Sequence, residues 1–251
     1  FTLFLFILFI PKSYGQIYTI SDSARISLLT SSAWDKEVYA LFGHTAIRIN
    51  DKENKIDHVF NYGIFSFNSD NFMYKFVKGE TDYILGVQDF EHYLQEYKER
   101  GVSVYEQVFN FTSQEKQKLC QALYINSLPQ NREYRYNYFF DNCSTRARDM
   151  VENNISGTVV YTPTNKEQSL RDLVHACVSV QTWTEFGIDL VIGRDADTPA
   201  TDREKMFLPE YLMNAYKGAT TTGQDGQKRL LISEEGYILQ SVTPSNSSVP
   251  A

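Results

Sequence analysis

Cys143 and His44 are the residues of this chain whose types and settings best suit chemistry. Cys143 follows the aromatic run Tyr136-Asn137-Tyr138-Phe139-Phe140 and the polar pair Asp141-Asn142, and it opens a helix-like segment over residues 143–153. A short side-chain oxygen on Asp141 or Asn142 can cap that helix by accepting its free amide hydrogens. Sulfur at the positive end of a helix dipole is stabilised as thiolate, the nucleophilic form. Arg146 and Arg148, one turn on, add positive charge. His44 lies in Phe42-Gly43-His44-Thr45-Ala46-Ile47-Arg48-Ile49, which alternates like a half-buried strand. Thr45, Ile47 and Ile49 share one face, and His44, Ala46 and Arg48 the other. An imidazole can take the thiol proton and later protonate a leaving group, so this pair is the minimum machinery of a cysteine enzyme. The plainer alternative is an inert thiol at a helix start and a satisfied polar histidine on a strand.

The elements around this pair decide whether the two side chains can meet. Residues 44–50 and 56–63 predict a hairpin around residues 51–55. Centring its loop on Glu53 pairs His44 with Tyr62, whereas a one-residue slip exchanges the faces and selects Asn61. Asn61 and Tyr62 are both candidates to orient the imidazole through its second nitrogen. His58 falls nearer Arg48 and reads as a surface residue. Further strands are predicted at 24–30, 83–86, 102–110 and 158–161, and helices at 91–100, 113–126 and 169–175. His92 is expected to be solvated, and His175 to sit at a helix C-terminus. Thr112 and Glu115 form the pattern of a capping box, and residues 68–78 are aromatic, basic and helix-compatible. The stretch 186–209 looks less regular. In it Asp195 and Asp197 are expected to pair with Arg194 or Arg203, or to position substrate. A helix begins at Phe207, and strands preceding a helix that carries the cysteine suggest an α+β fold with an antiparallel sheet.

Composition sets further limits. The chain has 251 residues and a net charge of −7 with no basic stripe, which argues against nucleic acid as a partner. Residues 1–10 are apolar apart from Thr2, too short to span a bilayer and suited to the core of a secretory signal ending near Gly15. The organisation expected is a signal at 1–15, a catalytic domain at 16–218, and a C-terminal part at 219–251 made of short hairpin pieces (230–232 and 237–242) and a linker. Three cysteines leave at least one unpaired in an oxidising compartment. Cys120 and Cys177 read as buried small hydrophobes or as one disulfide, leaving Cys143 as the odd thiol. No metal-ligand spacing is present, so neither zinc nor another cofactor is expected.

Four motifs occur in a fixed order: Phe42-Gly43-His44-Thr45-Ala46, Phe60-Asn61-Tyr62-Gly63, Asp141-Asn142-Cys143-Ser144-Thr145-Arg146 and Phe207-Leu208-Pro209. In that combination the chain resembles the periplasmic domain of the Bacteroidota lipoprotein N-acyltransferase family, over roughly residues 26–216. That family is similar to circularly permuted relatives of the NlpC/P60 papain-like enzymes, in which a strand histidine precedes a helix-opening cysteine. The resemblance implies a permuted papain-like fold with His44 as base and Cys143 as nucleophile at a helix N-terminus. It implies that an acyl chain passes from a phospholipid, through a Cys143 thioester, to the N-terminal amine of a diacylated lipoprotein. The setting implied is the periplasm, at the outer face of the inner membrane. On the substrate side, the Cys143 amide is the natural oxyanion donor, with Asn142, Arg146 and Asp197 as further candidates. The alternatives are a cysteine peptidase or amidase acting on cell-wall peptides, and a non-enzymatic secreted module. The aromatic flanks at 60–67 and 134–140 favour the lipid substrate over an open polar groove.

Overall fold

The computed structural model describes residues 18–37, 40–64, 81–164, 166–178, 182–223 and 226–241. The expected signal segment, the helix at 68–78 and the linker at 243–251 lie outside the described residues. The strands are β1 (Arg25–Ser31), β2 (His44–Asp51), β3 (Ile56–Ile64), β4 (Asp82–Asp89), β5 (Val104–Phe109), β6 (Glu133–Arg135), β7 (Thr158–Val160), β8 (Thr220–Thr222), β9 (Lys228–Leu230) and β10 (Ile232–Leu239). Seven of them form one antiparallel sheet in the order β10-β5-β1-β2-β3-β4-β6. The other three form a small antiparallel sheet, β7-β8-β9. The helices are α1 (Phe90–Arg100), α2 (Ser113–Ser127), α3 (Cys143–Asn154), α4 (Leu170–Val178), α5 (Thr182–Ile192), α6 (Asp202–Lys205) and α7 (Pro209–Tyr216). The result is a mixed α and β architecture with antiparallel sheets, as an α+β class requires.

The side-chain period of two divides each central strand between two cores. Ile26 and Leu28 of β1, Ile47 and Ile49 of β2, and Phe60 and Tyr62 of β3 pack with Leu119 and Leu123 of α2, Ala147 and Val151 of α3, and Leu212 of α7. Leu29, Ala46 and Val59 point the other way, onto Tyr93 and Tyr97 of α1. A third cluster gathers Leu173 and Val174 of α4 with Phe207 and Leu208, and Phe42, Tyr138 and Phe139 pack against it. The predicted Thr112–Glu115 capping box is present at the start of α2.

Several expectations are corrected. The stretch 186–209 is more regular than its sequence suggests, carrying most of α5, a 3-10 turn at Arg194–Asp197, and α6. The C-terminal hairpin is not made: β9 pairs with β8, and β10 runs along β5 at the edge of the large sheet. Cys120 and Cys177 are unbonded and belong to different clusters, so the alternative of a disulfide between them does not hold. The β2–β3 register pairs Asp51 with Ile56 and Ile47 with Phe60, one residue away from a loop centred on Glu53. His58 therefore faces Ile49, and its Nδ1 lies 2.8 Å from the Tyr124 hydroxyl.

Candidate active site

The register shift fixes the site. With β2 and β3 paired as observed, Asn61 rather than Tyr62 shares a face with His44. His44 Nε2 lies 2.5 Å from Asn61 Oδ1, so the ring donates there and Nδ1 is left for the sulfur. Tyr62 is buried in the main core, where its hydroxyl donates to Asn126 Oδ1 at 2.6 Å. Two glycines shape the backbone around the histidine. Gly43 has φ +73°, and a Cβ there would meet the Ser31 carbonyl oxygen at 2.6 Å. Gly63 has φ +99°, and a Cβ there would lie 3.7 Å from His44 Cε1 and 4.0 Å from Cys143 Cβ. Only glycine adopts such backbone without strain, so at Gly63 the requirement comes from the positive φ, since a Cβ there would make only ordinary contacts with the two candidate side chains.

Cys143 is the first residue of α3. Asn142 caps the helix: its Oδ1 accepts the Ser144 and Thr145 amides at 2.9 and 3.0 Å, and Thr145 Oγ1 accepts the Asn142 amide at 2.8 Å. Its Nδ2 donates to the Tyr138 and Phe207 carbonyls at 2.8 and 2.9 Å. The Asn142 side chain is thus used up holding the helix start in place, and it has no donor left for an oxyanion. The Cys143 amide has no partner among the described residues, which leaves it as the donor of the first turn.

The electrostatics favour an ion pair. Burial pushes the Cys143 thiol up, but the charge of His44, its hydrogen bond, the Thr45 amide and the Ser144 hydroxyl together hold it below the ordinary thiol range. Burial likewise pushes His44 down, and the sulfur's charge and hydrogen bond, with the bond to Asn61, outweigh it against the opposing charge of Arg100. The imidazole is therefore raised and the thiol lowered, each in the direction that stabilises a thiolate–imidazolium pair.

Other candidates fall elsewhere. Arg146 is paired with Asp141, Nε to Oδ1 at 2.5 Å and Nη2 to Oδ2 at 2.8 Å, and its guanidinium stacks 3.8 Å above the Tyr134 ring. Arg148 is buried, bonding Asp149 and the Arg203 carbonyl. Neither arginine touches the sulfur, so the helix start, His44 and neighbouring hydrogen bonds supply what the two arginines were expected to add. Asp197 is bound by Arg171 Nε at 2.5 Å, not by Arg194 or Arg203. The Asp195 side chain lies outside the described residues. His92 is exposed, and His175 lies in the last turn of α4 with Nε2 2.8 Å from Asp189. A cavity of about 460 Å³ lined by Glu152, Tyr161, Asp202 and Arg203 does not include the sulfur.

The residues that sequence reasoning missed are Gly63, Thr45 and Ser144. The turn signal of Gly63 was visible but was read only as a strand end. Among the described residues no helix is long and apolar enough to cross a membrane, and no cluster of side chains suits a metal ion. No curated protein and no solved structure matches the chain. The family model described as the Lnb N-terminal periplasmic domain matches residues 12–176, a stretch that contains both His44 and Cys143. Covering more than half of the sequence, that match places the chain in the Lnb N-terminal periplasmic domain family.

Proposed function

We propose that the domain is a cysteine-dependent lipoprotein N-acyltransferase built on a circularly permuted papain-like fold. One observation carries this reading: at a helix N-terminus Asn61 holds the His44 ring, and His44 and Cys143 shift each other's pKa toward the thiolate–imidazolium form. In the first half-reaction Cys143 Sγ attacks the ester carbonyl of a phospholipid. The Cys143 amide stabilises the oxyanion, the C–O bond breaks, and His44 protonates the departing glycerol oxygen. A thioester and a lysophospholipid result. In the second half, the N-terminal amine of a diacylated lipoprotein attacks the thioester, neutral His44 takes the amine proton, and the C–S bond breaks to restore the thiolate. No cofactor enters either step. The working location is the periplasm, at the membrane surface.

The surroundings of Cys143 support an apolar donor. Asn137 and Asp141 close a tight turn by exchanging backbone hydrogen bonds of 3.0 and 2.9 Å, and Asn137 Oδ1 accepts the Phe139 and Phe140 amides. This turn holds Phe140 59% exposed, three residues before the nucleophile. Behind it Phe42, Tyr138, Phe139 and Phe207 form one continuous aromatic wall. A large apolar side chain held exposed on the turn that leads into the candidate nucleophile, in front of an aromatic wall, suits contact with lipid. Phe140→Ser should lower acyl transfer from phospholipid vesicles about 10-fold, the equivalent of burying most of one large apolar side chain. Transfer from a soluble short-chain thioester should be unchanged. Equal losses with both donors would remove Phe140 from the lipid contact.

The direct test is intact-mass spectrometry of the protein after incubation with phospholipid. The expected result is an acyl adduct that is absent from Cys143→Ser and discharged by a diacylated lipopeptide. A reactive thiol with no adduct, together with cleavage of cell-wall peptides, would replace this reading by a peptidase.

A further inference from the structure

Two buried hydroxyls lie against the candidate nucleophile, and no step above uses them. Thr45, next to the histidine in β2, is fully buried, and so is Ser144, next to the cysteine in α3. Thr45 Oγ1 and Ser144 Oγ are 2.9 Å apart, and Ser144 Oγ is 4.0 Å from Cys143 Sγ. The Thr45 amide is also among the groups that hold the Cys143 thiol down. Ser144 is therefore joined on one side to the strand that carries His44 and on the other to the reactive atom. Buried hydroxyls exact a desolvation cost unless they are bonded, so each hydroxyl must use the other.

We infer that the Thr45–Ser144 pair is a positioning device, which locks the start of α3 to β2 and delivers a polarised hydroxyl to the sulfur. The direction of the bonds follows from the charge. A thiolate only accepts, so Ser144 donates to Sγ, and Ser144 Oγ in turn accepts the Thr45 hydroxyl hydrogen. Hydrogen bonds in such a chain strengthen one another. The chain adds to the hold of His44 on the anion and does not depend on which acyl donor or acceptor is used. It rests on the thiolate–imidazolium reading alone, so it stands or falls separately from the lipid assignment.

The ionisable groups that sense the charge of the sulfur are His44 from β2, Tyr83 from β4, Tyr93 from α1, Tyr134 from β6, and Tyr136 and Tyr138 from the segment leading into α3. Burial raises every one of these tyrosines, Tyr83 to about 12, so only His44 titrates together with the sulfur near neutral pH. The pH dependence of alkylation therefore reads the Cys143–His44 pair without interference from the tyrosines.

The test measures the rate of Cys143 modification by iodoacetamide against pH in the full chain, with Cys120→Ala and Cys177→Ala as background. Ser144→Ala and Thr45→Val should each move the thiol midpoint upward by roughly half a unit to one unit, the size a single modest hydrogen bond to an anion produces. Thr45→Ser, which keeps the hydroxyl, should restore the wild-type midpoint. A purely structural role would predict lower melting temperatures with an unmoved midpoint, and that result overturns the inference. If Ser144→Ala fails to fold, the difference between Thr45→Val and Thr45→Ser decides: a shared midpoint refutes the device, and a shift confined to Thr45→Val supports it.

Discussion

Cys143→Ser will form no acyl adduct and will lose transfer by at least on the order of 10⁴-fold, and His44→Ala will lose it by about 10²–10⁴-fold. The two losses arise differently. A serine hydroxyl at position 143 stays protonated at neutral pH and is a poor nucleophile, even with the imidazole in place. Removing His44 leaves the sulfur but deletes both the largest influence opposing its burial and the acid that protonates the leaving oxygen. Its pKa should then rise above the ordinary thiol range, because the burial that raises it remains. The pH profile follows from the signs. Wild-type activity should rise as the pair loses its first proton, below the ordinary thiol range, and fall as the imidazolium loses its own, above 6.5. Both limbs belong to the pair rather than to either residue. Asn61→Ala should keep the nucleophile but release the ring, lowering the upper limb and costing roughly 10-fold, as loss of an orienting partner does. Cys143→Ser, a substitution of nearly equal size, should shift the melting temperature little, and His44→Ala is read beside its own melting temperature because it leaves Asn61 Oδ1 without its donor. Full activity in Cys143→Ser would refute the nucleophile, and an unmoved alkylation midpoint in His44→Ala would refute the ion pair.

How far this site was legible before the structure depended on the kind of signal each residue carries. Cys143 and His44 stood out because a cap pattern and an alternating strand are local, and local chemistry survives into the fold. Asn142 was legible as a possible cap, and that role now excludes its use as an oxyanion donor. Choosing between Asn61 and Tyr62 needed the register, which turns on whether the β2–β3 loop holds an odd or even number of residues. The pairing of Asp51 with Ile56 makes it even, with Lys55 in the left-handed region at φ +56°. No glycine announces that conformation. It is stabilised by Asp51, whose carboxylate accepts the Asn54 amide and side chain and the Ser21 amide and hydroxyl. The partners of Arg146 and Asp197 were equally hidden, since Asp141 and Arg171 were only two among many opposite charges. The Thr45–Ser144 contact joins residues 99 apart in sequence, and nothing short of the packing of α3 on β2 brings them together.

Glu115→Ala will cost about 3–5 kcal/mol of folding stability, a large fraction of what holds a domain of this size together. Glu115 is 1% exposed and joins three elements at one carboxylate. It accepts the Thr112 amide at the start of α2 at 2.8 Å, the Ser156 amide after α3 at 2.8 Å, and the guanidinium of Arg229 from β9 through both oxygens. Arg229 in turn donates to Thr221 Oγ1 of β8 at 3.0 Å. Truncation leaves two amides and a cation without their acceptor, and breaking such a pair costs more than never having built it. Glu115→Leu combined with Arg229→Leu should therefore be more stable than Glu115→Leu alone, a coupling that chemical denaturation of both singles and the double can measure. Additive losses would show that the two side chains do not stabilise each other. The pH dependence has a fixed sign. Burial raises the Glu115 carboxyl, but Arg229 and the two amides outweigh it and the pKa is lowered. Its contribution is then complete above about 4.3, the unfolded value, and is lost as pH falls through the lower folded one. Wild-type stability should fall more steeply on acidification than that of Glu115→Gln. The carboxylate lies beyond the C-terminal end of α3, opposite the end that carries Cys143. Below the melting transition, Glu115→Ala should keep the wild-type alkylation rate, which separates what holds this domain together from what makes its cysteine reactive.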